Sequence, residues 1–284
     1  MEKKQYDIIC IGHLTKDKIV TPEKEVYMPG GTSYYFSHGI NNLDTTAVRY
    51  KLVTSLAEED MKPVEEMRGL GIEVDVIPSR NTVFFENIYE ADQNKRKQRV
   101  RAKADPFTME SIADIEAKYI VLGTLLADDF STEVIKELSG RGTLVVDAQG
   151  YLREVRDGKV FATDWPNKLE AIGHIDILKV NEEEVQTITG MTDLKEGARQ
   201  LQEWGVKEVI LTLGSYGSLV LSDGVFHEIP AVKPKKVVDA TGCGDTYLMG
   251  YIYKRAQGAD IDEAGNFAAE VSARKLEASG PFRG

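Results

Sequence analysis

The chain is poor in the residues that build disulfide scaffolds and metal clusters. Its 284 residues include only two cysteines, Cys10 and Cys243, far apart in the sequence, and four histidines. Two distant cysteines argue against a disulfide framework, and no two histidines have the H-x-x-x-H spacing of a helical zinc site. We therefore expect neither disulfide bonds nor a histidine-bound metal.

Long apolar runs and an excess of positive charge are also missing. No run approaches the roughly 20 apolar residues that span a bilayer, residues 1–5 show no apolar stretch of the secretory type, and the formal net charge is −11. An acidic chain is unsuited to nucleic acid or an anionic membrane surface, although a nucleotide needs only local positive potential. We expect a cytoplasmic protein that binds neither nucleic acid nor membrane.

The most informative stretch spans residues 237–253, V-V-D-A-T-G-C-G-D-T-Y-L-M-G-Y-I-Y. Its two valines predict a short β segment, Gly242, Cys243 and Gly244 predict a glycine loop, and a helical pattern starts at Asp245. A glycine loop that leads into a helix directs unpaired N–H groups and the positive end of the helix dipole at one point. Such a site binds anions, typically phosphate.

Asp245 stands where negative charge would also arrive, and two interpretations of it are open. Asp245 could cap the helix, a role that aspartate performs well. It could instead be a general base that takes a proton from an alcohol while the loop holds the phosphoryl group under attack. Its neighbour Cys243 is most simply a small residue that fits the loop, with a reactive thiol as the alternative.

Hydrophobic periodicity predicts an α/β fold for the chain. Residues 7–11 form a near-continuous apolar strand, and regular strand–helix alternation begins near residue 118. We expect residues 1–284 to form a single domain, a doubly wound, mostly parallel sheet flanked by helices. Ligands of such sheets bind beyond the carboxyl ends of the strands, where Asp147, Asn181, Gly214 and residues 239–245 fall.

Two segments depart from this regular order. Residues 13–29 are typical of two short, partly exposed strands, and residues 82–90 and 98–103 of a hairpin around a polar turn at residues 91–95. Neither set of alternating side chains in the hairpin is cleanly polar. We therefore expect this small sheet to cover something on one face.

Two further strand ends carry candidate ligand-binding residues. Asn181 and Glu184, in N-E-E-E, could hold Mg²⁺ through water, or could simply be a capping Asn with an acidic first turn. T-L-G-S-Y-G at residues 212–217 is a strand-to-glycine junction whose simplest interpretation is a tight turn. The sequence contains no G-x-x-x-x-G-K-[ST] motif, which excludes a P-loop enzyme.

In their order and spacing, these motifs resemble the ribokinase-like (PfkB) carbohydrate kinase family over essentially the whole chain. The matching parts are Asp17, the Gly30-Gly31 pair, residues 181–184, residues 212–217 and D-A-T-G-C-G-D at 239–245, the last being highly specific. The resemblance implies ATP-dependent phosphorylation of a hydroxyl on a small polyhydroxy substrate. It also implies that segments 13–29 and 82–103 form a β-sheet lid, through which two copies could pair as a homodimer.

The resemblance also implies residue roles. Asp245 would be the general base, and the backbone amides of Gly242, Cys243 and Gly244 would form an anion hole. Asn181 and Glu184 would organise Mg²⁺ and phosphate. The residues implied to border the nucleotide are Thr212, Gly214 and Gly217, and those on the substrate side are Asp17, Gly30, Gly31, Tyr35 and Arg153. A monovalent cation such as K⁺ is a further implied cofactor.

Departures from the family pattern lie on the substrate side. Many sugar kinases have Asn about four residues after the diglycine, where this chain has Tyr35. The common D-x-N-x-R is replaced by D-A-Q-G-Y-L-R, from Asp147 to Arg153, a variant similar to inositol-kinase-like members. Sugars and cyclitols therefore both remain candidate acceptors.

Two other functional classes also stay open. One is a nucleoside kinase on the same fold, in which aromatic residues of the lid region would stack on the base; the candidates are Tyr34, Tyr35, Phe84 and Phe85. The other is a non-catalytic sugar-binding regulator, against which the intact Asp245, Asn181 and Glu184 argue.

Overall fold

Apolar runs alternate with amphipathic segments along most of the chain. In the computed structural model the runs become strands of one large sheet, and helices cover its two faces. The structure describes residues 5–89 and 96–284. Its strands are β1 (Tyr6–Ile11), β2 (Thr15–Val20), β3 (Glu25–Gly30), β4 (Tyr50–Leu56), β5 (Val74–Pro78), β6 (Val83–Tyr89), β7 (Arg96–Ala102), β8 (Ala117–Leu122), β9 (Thr143–Asp147), β10 (Arg153–Arg156), β11 (Lys159–Ala162), β12 (Ile177–Asn181), β13 (Glu208–Thr212), β14 (Ser218–Ser222) and β15 (Val225–Ile229).

The helices connect these strands. They are α1 (Thr32–Asn41), α2 (Lys62–Gly69), α3 (Thr132–Leu138), α4 (Lys168–Ile172), α5 (Glu182–Thr189), α6 (Leu194–Glu203), α7 (Cys243–Ala256) and α8 (Ile261–Leu276). Short 3₁₀ turns span Glu58–Asp60, Ala148–Leu152 and Gly214–Tyr216. None of the helices that the structure describes is long and apolar enough to cross a membrane.

The main sheet has the strand order β15-β14-β13-β12-β9-β8-β1-β4-β5. Neighbours from β5 to β13 pair in parallel, whereas β14 and β15 are added antiparallel at one edge. The parallel strands direct their carboxyl ends to one edge of the sheet. The doubly wound, mostly parallel α/β fold predicted from the sequence is confirmed.

Each strand of the main sheet supplies two cores, because successive side chains of a strand point to opposite faces. In β1, Ile8 and Cys10 join the core beneath α1, α2, α7 and α8. Ile9 and Ile11 join the core beneath α3 to α6. A strand covered on both faces needs apolar residues at nearly every position, which explains the run I-I-C-I in β1.

The short β segment predicted at Val237 and Val238 is wrong. The described residues 230–242 follow an irregular path, and these valines are 71% and 50% exposed. The Val238 N–H donates to the Leu276 carbonyl at the end of α8, 2.7 Å away, rather than to a strand. β-Branched residues favour strands only where a neighbouring strand accepts their backbone bonds.

A second sheet, of order β10-β11-β7-β6-β2-β3, lies apart from the main one. Segments 13–29 and 82–103 supply β2, β3, β6 and β7, and the polar turn predicted at residues 91–95 lies outside the described residues. Sequence analysis missed the β10–β11 hairpin, although its turn carries a recognisable D-G pair, Asp157 and Gly158, both with positive φ. The Gly158 carbonyl accepts a bond from the Val100 N–H at 2.9 Å, which attaches the hairpin to β7.

The two faces of the second sheet differ. One face carries Glu86, which is buried by contacts with Lys18 and Arg101. The opposite face, called here the inner face, carries Asp17, Phe85, Asn87 and Gln98, which line a cavity over the carboxyl ends of the main sheet. A small apolar cluster that includes Val83, Phe85 and Val100 packs against Leu125 and Leu126 after β8 and joins the two sheets.

Candidate active site

The start of α7 is an open helix end. Gly242 occupies the N-cap position with φ 74° and ψ 11°, and no side chain bonds the first-turn N–H groups. The Cys243 N–H donates to the Ala240 carbonyl at 3.1 Å, whereas the N–H groups of Gly242 and Gly244 have no acceptor among the described residues. Of the three amides predicted to form an anion hole, those of Gly242 and Gly244 are open to a ligand, while the amide of Cys243 is already used within the turn.

The environment of Cys243 does not favour a reactive thiol. Its Sγ lies 3.7 Å from the Ser272 carbonyl, and burial raises the pKa of the thiol. A protonated thiol is a poor nucleophile. The structure thus supports the interpretation of Cys243 as a small residue that fits the loop.

Asp245 lies in the first turn of α7 and does not cap the helix, because Gly242 holds the N-cap position. The capping interpretation is therefore wrong. The half-buried carboxylate is hydrogen-bonded to the Thr32 side chain at the start of α1. Burial, followed by repulsion from Asp147, raises the pKa of Asp245 to about 6, and Lys179 and Arg153 oppose this shift.

A buried ion pair lies beneath Asp245. Lys179 in β12 and Asp147 at the end of β9 are register partners, and the Lys179 Nζ and Asp147 Oδ2 atoms are 2.7 Å apart. Both residues are almost fully buried. Burial alone would lower the pKa of Lys179, but the carboxylates of Asp147 and Glu184 outweigh burial and raise it. A Cβ at Gly244 would lie 3.3 Å from the ammonium, so the first turn of α7 packs directly against the Lys179 side chain.

Asn181 and Glu184 form a complete capping box at the start of α5. The Glu184 N–H donates to Asn181 Oδ1 at 2.9 Å, and the Asn181 N–H donates to Glu184 Oε2 at 2.8 Å. Burial and the Asp147 carboxylate raise the pKa of Glu184. The described residues contain no cluster of three or more potential His, Cys, Asp or Glu metal ligands. Any Mg²⁺ here would take few protein ligands and complete its shell with water and phosphate oxygens, as Mg²⁺ commonly does.

The diglycine positions Asp17. A Cβ at Gly30 would lie 2.5 Å from Asp17 Oδ2, so only glycine leaves room for this carboxylate on the neighbouring strand. The Thr15 hydroxyl donates to Asp17 Oδ1 at 2.7 Å. Gly31, with φ 91°, is the N-cap residue immediately before α1, and a Cβ there would lie 2.7 Å from the His13 carbonyl. Both glycines are thus required by close contacts, Gly30 with the Asp17 carboxylate and Gly31 with the His13 carbonyl.

A cavity of about 1490 Å³ lies between the carboxyl ends of the main sheet and the inner face of the second sheet. It brings together most of the predicted site residues: Asp17, Gly31, Tyr35, Arg153, Gly242, Cys243, Gly244 and Asp245. It also includes Asp147, which the sequence placed at the ligand-binding edge of the sheet, and residues to which sequence analysis gave no site role: Asn87, Gln98, Gln149 and Lys179. A neighbouring cavity of about 380 Å³ contains Asn181 and Glu184 and shares Gln98, Gln149 and Arg153 with the larger one.

Some predicted residues lie outside the lining of both cavities; they are Gly30, Thr212, Gly214 and Gly217. The segment at 212–217 forms a tight turn, in which the Tyr216 N–H donates to the Leu213 carbonyl at 3.0 Å. At Gly217, with φ 96°, a Cβ would lie 2.2 Å from the Ile229 carbonyl oxygen. These glycines are thus explained by the turn itself.

Only two of the four aromatic candidates for base stacking reach the larger cavity. Phe84 contacts Tyr27 on the other face of the second sheet, and Tyr34 packs on His38. Tyr35 and Phe85 do line the cavity, but each is only 4% exposed. The cavity therefore offers little exposed aromatic surface among the described residues.

Comparison with known proteins identifies the family to which the chain belongs. Residues 102–282 match the model of the pfkB family carbohydrate kinases. The cytidine kinase of Thermococcus kodakarensis is 26% identical over 97% of this chain and 98% of its own length. The nucleoside kinase of Methanothermobacter thermautotrophicus is 36% identical over 110 residues, which are 39% of this chain and 34% of that protein.

Among solved structures, a pyrophosphate-dependent kinase in the ribokinase family, complexed with a pyrophosphate analog and myo-inositol, superposes with a TM-score of 0.87. It is 29% identical, and the match covers 97% of each chain. The chain belongs to the pfkB family of carbohydrate kinases, as the motifs at 181–184 and 239–245 predicted. It is a phosphotransferase of the kind that uses an alcohol group as acceptor.

The contact between Gly242 and Tyr35 generates a prediction. A Cβ at Gly242 would lie 2.3 Å from Tyr35 Cδ1, whereas a Cβ at Gly190, with nearly the same φ of 73°, meets nothing within 4 Å. We expect Gly190→Ala to lower the free energy of unfolding by about 1–2 kcal/mol, the cost of left-handed backbone, with kinase activity retained. Gly242→Ala should lower it further and also reduce kcat at least about tenfold, because the helix start must shift. Urea unfolding and rate measurements on both variants check this, and equal losses of stability with unchanged kcat would contradict it.

Proposed function

We propose that this protein transfers the terminal phosphoryl group of Mg²⁺-bound ATP to a hydroxyl of a small sugar or cyclitol. The observation that carries the proposal is the meeting of three groups at one cavity. These are the Asp245 carboxylate with a raised pKa, the open N–H groups at the start of α7, and the buried Lys179 ammonium. A base, an anion site and a fixed positive charge are what phosphoryl transfer to an alcohol requires.

In the proposed step, Asp245 accepts the proton of the attacking hydroxyl. The hydroxyl oxygen forms a bond to phosphorus as the bond to the leaving phosphate oxygen breaks, and the leaving group departs with that electron pair. With a pKa of about 6, Asp245 is mostly ionised at neutral pH yet more basic than an ordinary aspartate. The N–H groups of Gly242 and Gly244, together with Lys179, would stabilise the negative charge on the transferring group.

The residues present fit Mg²⁺. The oxygens of Asn181, Glu184 and Asp147 are the hard ligands that Mg²⁺ prefers, and burial, followed by the Asp147 carboxylate, raises the pKa of Glu184. When bound, Mg²⁺ would neutralise phosphate charge. The capping box of Asn181 and Glu184 would hold these two side chains in place while water and phosphate oxygens complete the shell.

The polar lining supports a polyhydroxy acceptor. Asp17, Asn87, Gln98, Gln149 and Arg153 line the larger cavity, and its aromatic rings are almost fully buried. A nucleoside is the second candidate acceptor, because the cytidine kinase relative matches over 98% of its own length. A non-catalytic regulator is not supported, since the chain belongs to a kinase family.

Pyrophosphate is the second candidate donor. The pyrophosphate-dependent kinase superposes over 97% of both chains, and Thr212, Gly214 and Gly217, predicted to border a nucleotide, do not line the cavity. Pyrophosphate would need the anion site and the cation but no site for a base.

We also propose that the chain acts as one domain in which the second sheet is a lid over the acceptor. Its inner face lines the cavity, which supports exclusion of water from the donor when the acceptor binds. The edge strand β3 exposes Val26 and Tyr27, which supports pairing with a second copy as a homodimer. Activation by a monovalent cation such as K⁺ and a cytoplasmic location stay predictions.

A donor and acceptor screen tests the proposal. We expect turnover with ATP or pyrophosphate, Mg²⁺ and at least one sugar or cyclitol, and a loss of about 10²–10⁴-fold in kcat for Asp245→Asn, which cannot accept the proton. Because burial raises the pKa of Asp245 above its unfolded value, its ionised form destabilises the folded state above about pH 6. The Asn variant should therefore melt at pH 8 no lower than wild type. Activity without a divalent cation, or near-normal kcat in the variant, would refute the mechanism.

The metal role of Glu184 has its own test. Glu184→Gln keeps an oxygen that can accept the Asn181 N–H but loses the charge, so the Mg²⁺ concentration for half-maximal rate should rise several-fold. Glu182→Gln is the matched control, because Glu182 is an exposed residue in the same first turn and lines neither cavity. An unchanged Mg²⁺ response in Glu184→Gln would remove this residue from the metal site.

A further inference from the structure

A buried lysine lies at the end of α8, beside the turn that carries the proposed anion site. Lys275 is only 1% exposed, and its Nζ donates to the Asp239 carbonyl at 2.8 Å and lies 3.4 Å from Asp239 Oδ2. The ammonium is also 6.0 Å from the centre of the Tyr35 ring, which lines the larger cavity. A buried ammonium is destabilising unless its charge is matched, and Asp239 supplies both a carbonyl and a carboxylate for it.

The same aspartate organises the turn that follows it. Asp239 Oδ1 accepts the Thr241 N–H at 2.9 Å, and Asp239 Oδ2 accepts the Gly280 N–H at 3.3 Å. Directly after this turn come the N–H groups of Gly242 and Gly244, which are open to a ligand. Asp239 therefore connects the lysine of α8 to the proposed anion site at the start of α7.

The approach to α7 has no regular secondary structure, so its geometry depends on such connections. Residues 230–242 follow an irregular path, and the Leu276 carbonyl at the end of α8 accepts the Val238 N–H at 2.7 Å. A loop keeps one geometry only where bonds to the rest of the fold offset its conformational entropy. The charge of Lys275 also acts on the turn, because burial raises the pKa of the Cys243 thiol and the lysine opposes this rise.

We propose that Lys275 is a positioning residue for phosphoryl transfer. Its ammonium holds Asp239, and through Asp239 the turn, so that the N–H groups of Gly242 and Gly244 converge on the transferring phosphoryl group. The inference rests on the anion site of the proposed function. Lys275 itself lines neither cavity, so it acts through the turn and not by touching the acceptor. Its loss should therefore affect kcat and anion affinity and leave acceptor binding nearly unchanged.

The main test uses Lys275→Met, which keeps most of the length of the side chain and removes its charge and its donors. We expect kcat to fall about 10- to 100-fold, because the anion-site donors lose their fixed positions, with acceptor KM within about twofold of wild type. Inorganic pyrophosphate, titrated calorimetrically without acceptor, probes the anion site without any turnover, and its Kd should rise several-fold. Lys118→Met is the matched control, because Lys118 Nζ donates to the Ala256 carbonyl at 2.7 Å, at the other end of α7. It should leave kcat and pyrophosphate affinity as in wild type.

Chemical rescue separates positioning from a general loss of structure. Lys275→Ala vacates the space of the side chain and leaves the Asp239 carbonyl and carboxylate without their ammonium. Asp239 lines the larger cavity, so a small cation can reach it. At constant ionic strength, exchange of sodium chloride for ammonium chloride should raise kcat of this variant at least about threefold more than it raises kcat of wild type.

The outcomes separate the inference from the proposed function. Wild-type kcat and pyrophosphate affinity in a folded Lys275→Met variant would overturn the inference and leave the proposed function intact. A loss of kcat that ammonium does not restore in Lys275→Ala, with acceptor KM raised in parallel, would indicate general damage and would also overturn it. A wild-type protein without turnover on any donor and acceptor would refute the proposed function, and pyrophosphate binding would still decide the role of Lys275.

Discussion

A lysine ammonium buried between two strand ends is the interaction on which the rest of the site depends. An unpaired ammonium would be strongly destabilising in this position, so Lys179 requires the Asp147 carboxylate opposite it. The parallel register of β9 and β12 places the two residues side by side. The helix turn at Gly244 packs against the ammonium, and both the Lys179 and the Asp147 charges act on Asp245. Strand register therefore sets the electrostatics of the proposed base.

The two charges of this pair act on Asp245 in opposite directions. Asp147 disfavours the ionised carboxylate and Lys179 favours it, while burial contributes the largest part of the raised pKa. A carboxylate of ordinary pKa would be a weak base towards an alcohol, and one raised far above neutrality would be protonated and inactive. Burial raises the pKa of Asp245 most, the two charges of the pair act in opposite directions, and the resulting value of about 6 lies between these limits. The pair also supplies a cation where charge would build up on the transferring phosphoryl group.

Local motifs predicted the parts of the site that local chain geometry determines. The boundaries of α5, with Gly190 at its end, follow from residues adjacent in sequence, whereas α7 begins at Cys243, two residues before the start predicted at Asp245. Lys179 was missed because a lysine within a strand is usually exposed, and its burial depends on an aspartate that is distant in sequence. Asn87 and Gln98 were missed for a similar reason, since their pairing exists only once β6 and β7 are in register.

The pH dependence of kcat/KM tests the central claim most directly. For the wild-type protein we predict an acid limb with an inflection near pH 6, the pKa of Asp245. Donor phosphates also ionise near pH 6, so the decisive comparison is with Thr32→Val, which removes the hydrogen bond to Asp245 and leaves the donor, the proposed metal ligands and the buried ion pair as they are. The Thr32 hydrogen bond lowers the pKa of Asp245, so its loss should move the limb to higher pH. A limb that stays in place in Thr32→Val would contradict the assignment of Asp245 as the base.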